Sequence, residues 1–387
     1  MKNLYIIYCA VALSLLAGCK MTSSPSSDGP SSDGPSSEPG ADISGNKNWQ
    51  SIAMSSNGEK LAAVVGGASG DGRHIYTSSN SGAKWADLSI VPDSAIAGNR
   101  NWYSIAMSPD GQYLAAVVFG GYLYTSSNGG ASWTNRSTGT ISGNKYWMSI
   151  AMSEDGKKLA AVVYYGHIYT STDSGATWTD RSTPTGSRIS GPKNWQSIAM
   201  SEDGKKLAAV VYGGHIYTST DSGETWSDRS GTGSDIAGNK YWYSIAMSPD
   251  GQELAAVVGG ASGDGGHIYT SSNSGETWRD RSTAGSEIAG NRNWYSIAMS
   301  DDGQELAAVV GGSSGDGRHI YTSSNGGAKW TDRSTGTISG NKNWISIAMS
   351  SNGDDLAAVE NDGHIYTSSN SGSTWTDRSR APSTGAP

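Results

Sequence analysis

The sequence predicts an all-β fold, a seven-bladed β-propeller of four-stranded antiparallel blades, and three observations carry that prediction. First, one unit of about fifty residues recurs along the chain, the period of a propeller or another stacked array. Two phrases mark each copy. Trp-x-Ser-Ile-Ala-Met-Ser opens at Trp49, Trp102, Trp147, Trp195, Trp242, Trp294 and Trp344. Ser-x-Asp/Asn-x-Gly-x-x-Trp closes at Trp85, Trp133, Trp178, Trp226, Trp278, Trp330 and Trp375, and together the two sets account for all 14 tryptophans. Second, each copy holds four short β-type runs separated by turn signals. Third, no stretch sustains a helical period, which argues against a helical solenoid.

The third copy, Trp147 to Ser182, illustrates each element in order. Met148-Ser149-Ile150-Ala151-Met152 alternates large and small side chains, as a closely buried first strand would. Asp155-Gly156 is a tight hairpin signal. Leu159-Ala160-Ala161-Val162-Val163 is continuously apolar, which fits a second strand buried on both faces. His167-Ile168-Tyr169-Thr170 reads as the third strand, Asp173-Ser174-Gly175 as a turn, and Trp178-Thr179-Asp180-Arg181 as the outermost fourth. The units start near residues 45, 98, 143, 191, 238, 290 and 340, within a body spanning 41–380. Glycine, at 53 residues, serves the many tight turns. With Phe119 the only phenylalanine, Ala, Val, Ile, Leu, Met, Tyr and Trp must fill the core. The net charge of −8, with Lys and Arg dispersed, is not the footprint of a nucleic-acid binder. The expected assembly is a monomeric propeller.

The N-terminus reads as an export signal. Lys2 precedes an apolar stretch, Leu4 to Leu16, too short to span a bilayer comfortably. Leu16-Ala17-Gly18-Cys19 resembles the lipobox of bacterial lipoproteins. That resemblance implies a signal peptide over residues 1–18, lipidation of Cys19 and, with Lys20 next, an outer-membrane or cell-surface location in a Gram-negative cell. Cys9 would leave with the signal, so Cys19 has no internal disulfide partner. Residues 19–40, rich in Ser, Pro, Gly and Asp, read as a disordered tether, and 381–387 as a flexible tail.

The turn before each closing Trp resembles the Asp-box, or bacterial neuraminidase repeat, of the sialidase-like superfamily, Ser-x-Asp-x-Gly-x-Thr-Trp. Asp173 with Trp178 and Asp221 with Trp226 match it fully. Asparagine takes the aspartate place in Asn80 (with Trp85), Asn128 (Trp133), Asn273 (Trp278), Asn325 (Trp330) and Asn370 (Trp375). The resemblance implies a structural staple, with the usual ligand face at the opposite end of the blades.

Two features fall on that opposite face. Lys47, Arg100, Lys145, Lys193, Lys240, Arg292 and Lys342 each stand two residues before Trp49, Trp102, Trp147, Trp195, Trp242, Trp294 and Trp344. Cations and aromatics so placed can grip sugars; alternatively the Trp packs between blades and the cation is a solvated rim. The second-to-third loops are long in units one, five and six, bringing Asp71/His74, Asp264/His267 and Asp316/His319 into sequence proximity. Such pairs can join a metal site, but histidine recurs in six of the units, which favours packing or a rim role, and no metal or cofactor is assigned.

No catalytic residue is assigned either. The chain lacks the Arg-Ile-Pro motif of sialidases, a nucleophile elbow, a Walker loop and His-Glu-x-x-His. The recurring carboxylates Asp180, Asp228, Asp280, Asp332 and Asp377 are expected on outer strands in solvated or turn roles. The resulting expectation is a non-enzymatic, membrane-anchored propeller binding a carbohydrate or a protein partner through its loop-bearing face. The alternatives are a glycoside hydrolase, or an assembly factor, since the repeats also resemble photosystem II stability factors.

Overall fold

The computed structural model describes residues 41, 43–67, 73–91, 94–183, 188–231, 233–259, 266–283, 285–312, 318–334, 336–340 and 342–379. Cys19, the predicted signal and tether, the tail, and Asp71, Asp264 and Asp316 lie outside the described residues.

Among the described residues regular structure is almost wholly strand: 28 strands, against two three-residue 3-10 turns at Gly139–Ile141 and Gly336–Ile338. In the first unit β1 (Lys47–Met54), β2 (Leu61–Val65), β3 (Ile75–Ser78) and β4 (Ala86–Asp87) form an antiparallel meander. Later units repeat it. The β1–β2 turn holds itself: Ser55 Oγ lies 2.8 Å from Asn57 Oδ1 and accepts from the Lys60 amide at 2.9 Å. Gly58 takes φ +71° there, and a Cβ on it would meet Asp355 of the last unit at 2.5 Å, so both backbone sign and space demand glycine.

Leu61-Ala62-Ala63-Val64-Val65 is buried throughout because alternate residues face different sheets. Leu61, Ala63 and Val65 pack against Ala357, Val359 and Ile365 of the last unit, while Ala62 and Val64 pack against Trp102, Ile105 and Leu114 of the second. The core is therefore a series of layers between neighbouring sheets, as radial packing requires.

The sheets close into a ring. Ile105 donates its amide to Ser51 Oγ at 3.3 Å, and in the same way Ile52 of the first unit donates to Ser346 of the last at 3.3 Å. Lys47 pairs with Gly363, and the Trp49 indole donates to the Gly363 carbonyl at 3.1 Å. At the other end of β1, Ser351 donates its amide to the Ser56 carbonyl at 3.0 Å, and Ser56 to Pro109 at 2.9 Å. The last meander draws all four strands from the C-terminal part of the chain, so closure joins one complete sheet to the next.

One irregularity recurs. Between Trp49 and Ser51 the β1–β2 register slips, leaving Gln50 as a bulged residue, and the same slip follows the equivalent Trp in every unit. A bulge re-aims its side chain. Here it turns one residue per unit into the central channel.

Candidate functional site

The bulged residues Gln50, Tyr103, Met148, Gln196, Tyr243, Tyr295 and Ile345 line a channel cavity of about 310 Å³, together with the serines that follow them. This is one of the positions at which the near-identical units differ. Among the described residues lining that cavity there is no carboxylate. Burial pushes the Tyr103 hydroxyl up in pKa, opposed by a hydrogen bond with Gln196. Burial, then neighbouring Tyr212, does the same to Tyr243, and burial, opposed by Asn293, raises Tyr295. These phenols stay protonated near neutrality, as hydrogen-bonding groups and not as bases.

Around the channel the aromatics continue outward on one side. Ring centroids of Tyr103 and Phe119 lie 5.6 Å apart, and those of Phe119 and Tyr146 5.0 Å. Tyr164 meets Tyr165 edge-on at 4.5 Å. Tyr212 contacts Tyr241 at 4.9 Å and Tyr243 at 5.5 Å, and Tyr243 contacts Tyr295 at 5.0 Å. Phe119, Tyr164 and Tyr212 directly follow the apolar second-strand run in units two, three and four, where units one, five and six have Gly66, Gly259 and Gly311. Tyr146 and Tyr165 are the outermost members, 55% and 68% exposed.

Tyr165 stands out further. Its φ is +49°, left-handed, where the equivalent residues of units two and four are Gly120 and Gly213 at +71° and +69°. A side chain in that region costs roughly 1–2 kcal/mol. The backbone bears that cost at an exposed ring set edge-on against Tyr164.

The residues expected to grip a ligand are occupied otherwise. Trp49, Trp102, Trp147, Trp195, Trp242, Trp294 and Trp344 are fully buried, each edge-on to the third-strand tyrosine of its own unit; Trp49 meets Tyr76 at 5.4 Å and Trp344 meets Tyr366 at 5.3 Å. No face is left for a sugar to stack on, because the indole fills the space between sheets. The preceding cation lies over the ring of that tyrosine. Lys47, Arg100, Lys145, Lys193, Lys240, Arg292 and Lys342 stand 4.6–6.0 Å from the ring centroids of Tyr76, Tyr124, Tyr169, Tyr217, Tyr269, Tyr321 and Tyr366. Such contacts stabilise by about 0.5–2 kcal/mol.

The histidines pair across the third and fourth strands. His74 Nδ1 lies 2.6 Å from Asp87, and His167, His215, His267, His319 and His364 lie 2.5–2.8 Å from Asp180, Asp228, Asp280, Asp332 and Asp377. The same carboxylates accept the amide two residues on, as Asp180 does from Ser182 at 2.9 Å. The outer aspartates are thus turn residues and histidine partners at once. Sequence reading missed the pairing, although its signal was present: unit two alone replaces both members, with Tyr122 and Asn135. His74, His267 and His319 are engaged in this way, and among the described residues no group of three or more His, Cys, Asp or Glu is placed to hold a metal.

At the far end of the sheets the turns make a common set of internal hydrogen bonds, except that in unit two the buried Trp133 indole has no partner among the described residues. Asp173 accepts from the Thr177 amide at 2.8 Å, Gly175 donates to Ser171 Oγ at 2.9 Å, and the Trp178 indole donates to Gly175 at 2.9 Å. Asn80 does the same work for Lys84 at 2.8 Å, and Asp221, Asn128, Asn273, Asn325 and Asn370 occupy the same place. Trp85, Trp133, Trp178, Trp226, Trp278, Trp330 and Trp375 are all buried.

Comparison with solved structures defines the class: the chain has a β-propeller fold. It is similar to YCF48 bound to D1 peptide (TM-score 0.58, 16% identity, 87% of this chain and 98% of that one). It is similar to an ancestral GH74 enzyme (TM-score 0.63, 18% identity, 90% of this chain), of which it spans 48%. It also resembles the β-propeller domain of Cps50 (Swd1) from Myceliophteria thermophila (TM-score 0.57, 14% identity, 84% of this chain and 98% of that one). No family model and no curated protein sequence matches the chain. At these identities the likeness is one of fold.

Proposed function

We propose that this chain is a seven-bladed propeller that binds a carbohydrate chain, without transforming it, through the aromatic arc at its channel mouth. The observation that carries this reading is Tyr165, an exposed aromatic ring held at left-handed φ where units two and four have glycine and unit seven has Asp362, itself at φ +57°. Tyr146, Tyr165 and the tyrosines behind them offer flat faces to C–H surfaces of sugars, while Gln50, Gln196 and the phenolic hydroxyls offer hydrogen bonds to sugar hydroxyls. Hydrolysis would call for two carboxylates in one pocket; the described lining of this cavity has none. The 28 strands among the described residues, in consecutive meanders of four, support the blade count, and the self-capped turns support reading them as Asp-boxes. We further propose that residues 1–18 are a lipoprotein signal, that lipidated Cys19 and the 19–40 tether hold the propeller to the bacterial membrane at the cell surface, and that it acts as a monomer.

The test is a glycan array probed with the full chain carrying Cys19→Ser, which removes the lipid acceptor. Binding to a related group of glycans, reduced about tenfold or more by Tyr165→Ala, is the expected result. An array that stays blank, or binding indifferent to Tyr165→Ala and Tyr146→Ala, overturns it. A second reading takes a peptide on the same arc, since exposed tyrosines also anchor peptides and the similarly folded YCF48 has been solved with D1 peptide bound. A blank glycan array beside a peptide array sensitive to Tyr165→Ala would select it.

A further inference from the structure

The opposite mouth of the channel has a different chemistry. The last residue of every first strand is methionine: Met54, Met107, Met152, Met200, Met247, Met299 and Met349. All are half-buried, each resting partly on the neighbouring core, and all line a second cavity of about 180 Å³. Glu154, Glu202 and Asp301 line it too, each two residues beyond a methionine, where the other units carry Ser56, Pro109, Pro249 and Ser351. These residues are tied together around the opening: Glu154 donates its amide to the Glu202 carbonyl at 3.0 Å, Glu202 to Pro249 at 2.9 Å, and Asp301 to Ser351 at 2.9 Å. Among the described residues lining this mouth there is no Lys or Arg.

We propose that this mouth binds a soft monovalent metal cation, Cu(I) or Ag(I), through methionine thioethers on the side of Met152, Met200 and Met247, with the carboxylates supplying the attracting field. The thioether is a weak hydrogen-bond acceptor and offers little to ammonium groups or hard cations, whereas thioether donors select Cu(I) among biological metals. Methionine's unbranched stem lets a sulfur swing into the cavity while its base stays packed. If the residues served packing alone, leucine would do as well, and seven sulfurs at one opening would have no consequence. The cavity is large beside the roughly 30 Å³ of a water molecule, so ion and ligating sulfurs fit. The site is independent of the glycan reading, lying at the other end of the channel.

The experiment uses the full chain with Cys9 and Cys19 blocked by N-ethylmaleimide, so that no thiol competes. Cu(I) is offered against bicinchoninate in competition, and Ag(I) by calorimetry. The expected result is one tightly held equivalent, lost in the Met152→Leu/Met200→Leu/Met247→Leu triple variant and weakened about tenfold by Glu202→Gln, which acts outside the ligand set. Leucine conserves the volume, and tryptophan fluorescence checks that the triple variant is folded. No uptake by the parent chain overturns the proposal, as does uptake that the folded triple variant retains. Binding lost on Glu202→Gln but kept in the triple variant would also overturn it, since carboxylates would then be the ligands.

Discussion

Replacing Tyr165 by glycine separates backbone strain from ligand contact. Removing the side chain at φ +49° relieves roughly 1–2 kcal/mol of left-handed strain. Losing the edge-on contact with Tyr164, at 4.5 Å, costs roughly 0.5–1.5 kcal/mol. The freer unfolded chain of the glycine variant costs a further 0.4–1 kcal/mol or so. The gain and the two losses cancel to within about 1 kcal/mol, so Tyr165→Gly leaves stability nearly unchanged. Tyr165→Ala keeps the strain and loses the contact, so it destabilises by about 0.5–1.5 kcal/mol. Both variants remove the exposed ring and are expected to weaken glycan binding alike, by about tenfold. Urea denaturation and a binding titration on the three proteins are the assays. If the glycine variant is less stable than the alanine variant, the strain argument fails; if either binds as the parent does, the ring is no part of the ligand surface.

Three further outcomes follow from the packing and the charges. Tyr122→His with Asn135→Asp should rebuild in unit two the pair present in the other units, giving a favourable coupling of about 0.5–1.5 kcal/mol in a double-mutant cycle; additive single effects would deny the pair a stabilising role. Trp242→Ala, removing a fully buried indole that donates to Gly214 at 3.1 Å, should cost about 3–5 kcal/mol yet leave glycan affinity unchanged in the folded fraction. Affinity lost with stability intact would return this tryptophan to the binding surface. In pH titrations, the Lys205 amide, with Ser201 and the Lys205 side chain, holds Asp203 at about 2, below its usual 3.8, so its contribution is present above the usual value and lost as pH falls through about 2. Burial, then Asp180 or Asp228, pushes Tyr169 and Tyr217 up to about 12, so their contribution holds below pH 10 and is lost as pH rises through about 12. Phenolate absorbance attributed to Tyr169 and Tyr217 by difference from the Tyr169→Phe and Tyr217→Phe variants, rising at the usual tyrosine value while the fold persists, would contradict the second half.

Much of the architecture was legible because repetition turns weak local signals into strong ones. A single Leu-Ala-Ala-Val-Val run is compatible with a buried helix; recurring between the same turns in every unit, it reads as a strand sandwiched between sheets, and Leu61 to Val65 is buried throughout. The turns of the Asp173 and Asn80 type were legible for the same reason, since their hydrogen bonds are local. The candidate site was not. Trp49 and Lys47 look like ligand residues on paper because aromatic and cation stand close together. Their burial against Tyr76, some thirty residues away, is a property of the packed blade.

Sequence alone thus determined the order of the strands within a meander and the character of the turns, both of which depend on residues near one another in the chain. Tertiary structure decided which side chains face the channel. The bulge after each buried tryptophan sends Gln50, Tyr103, Tyr243 and Tyr295 inward, and ring closure brings residues from distant units to one opening. A periodic sequence cannot disclose that convergence, because radial position about a common axis arises only when the last sheet meets the first.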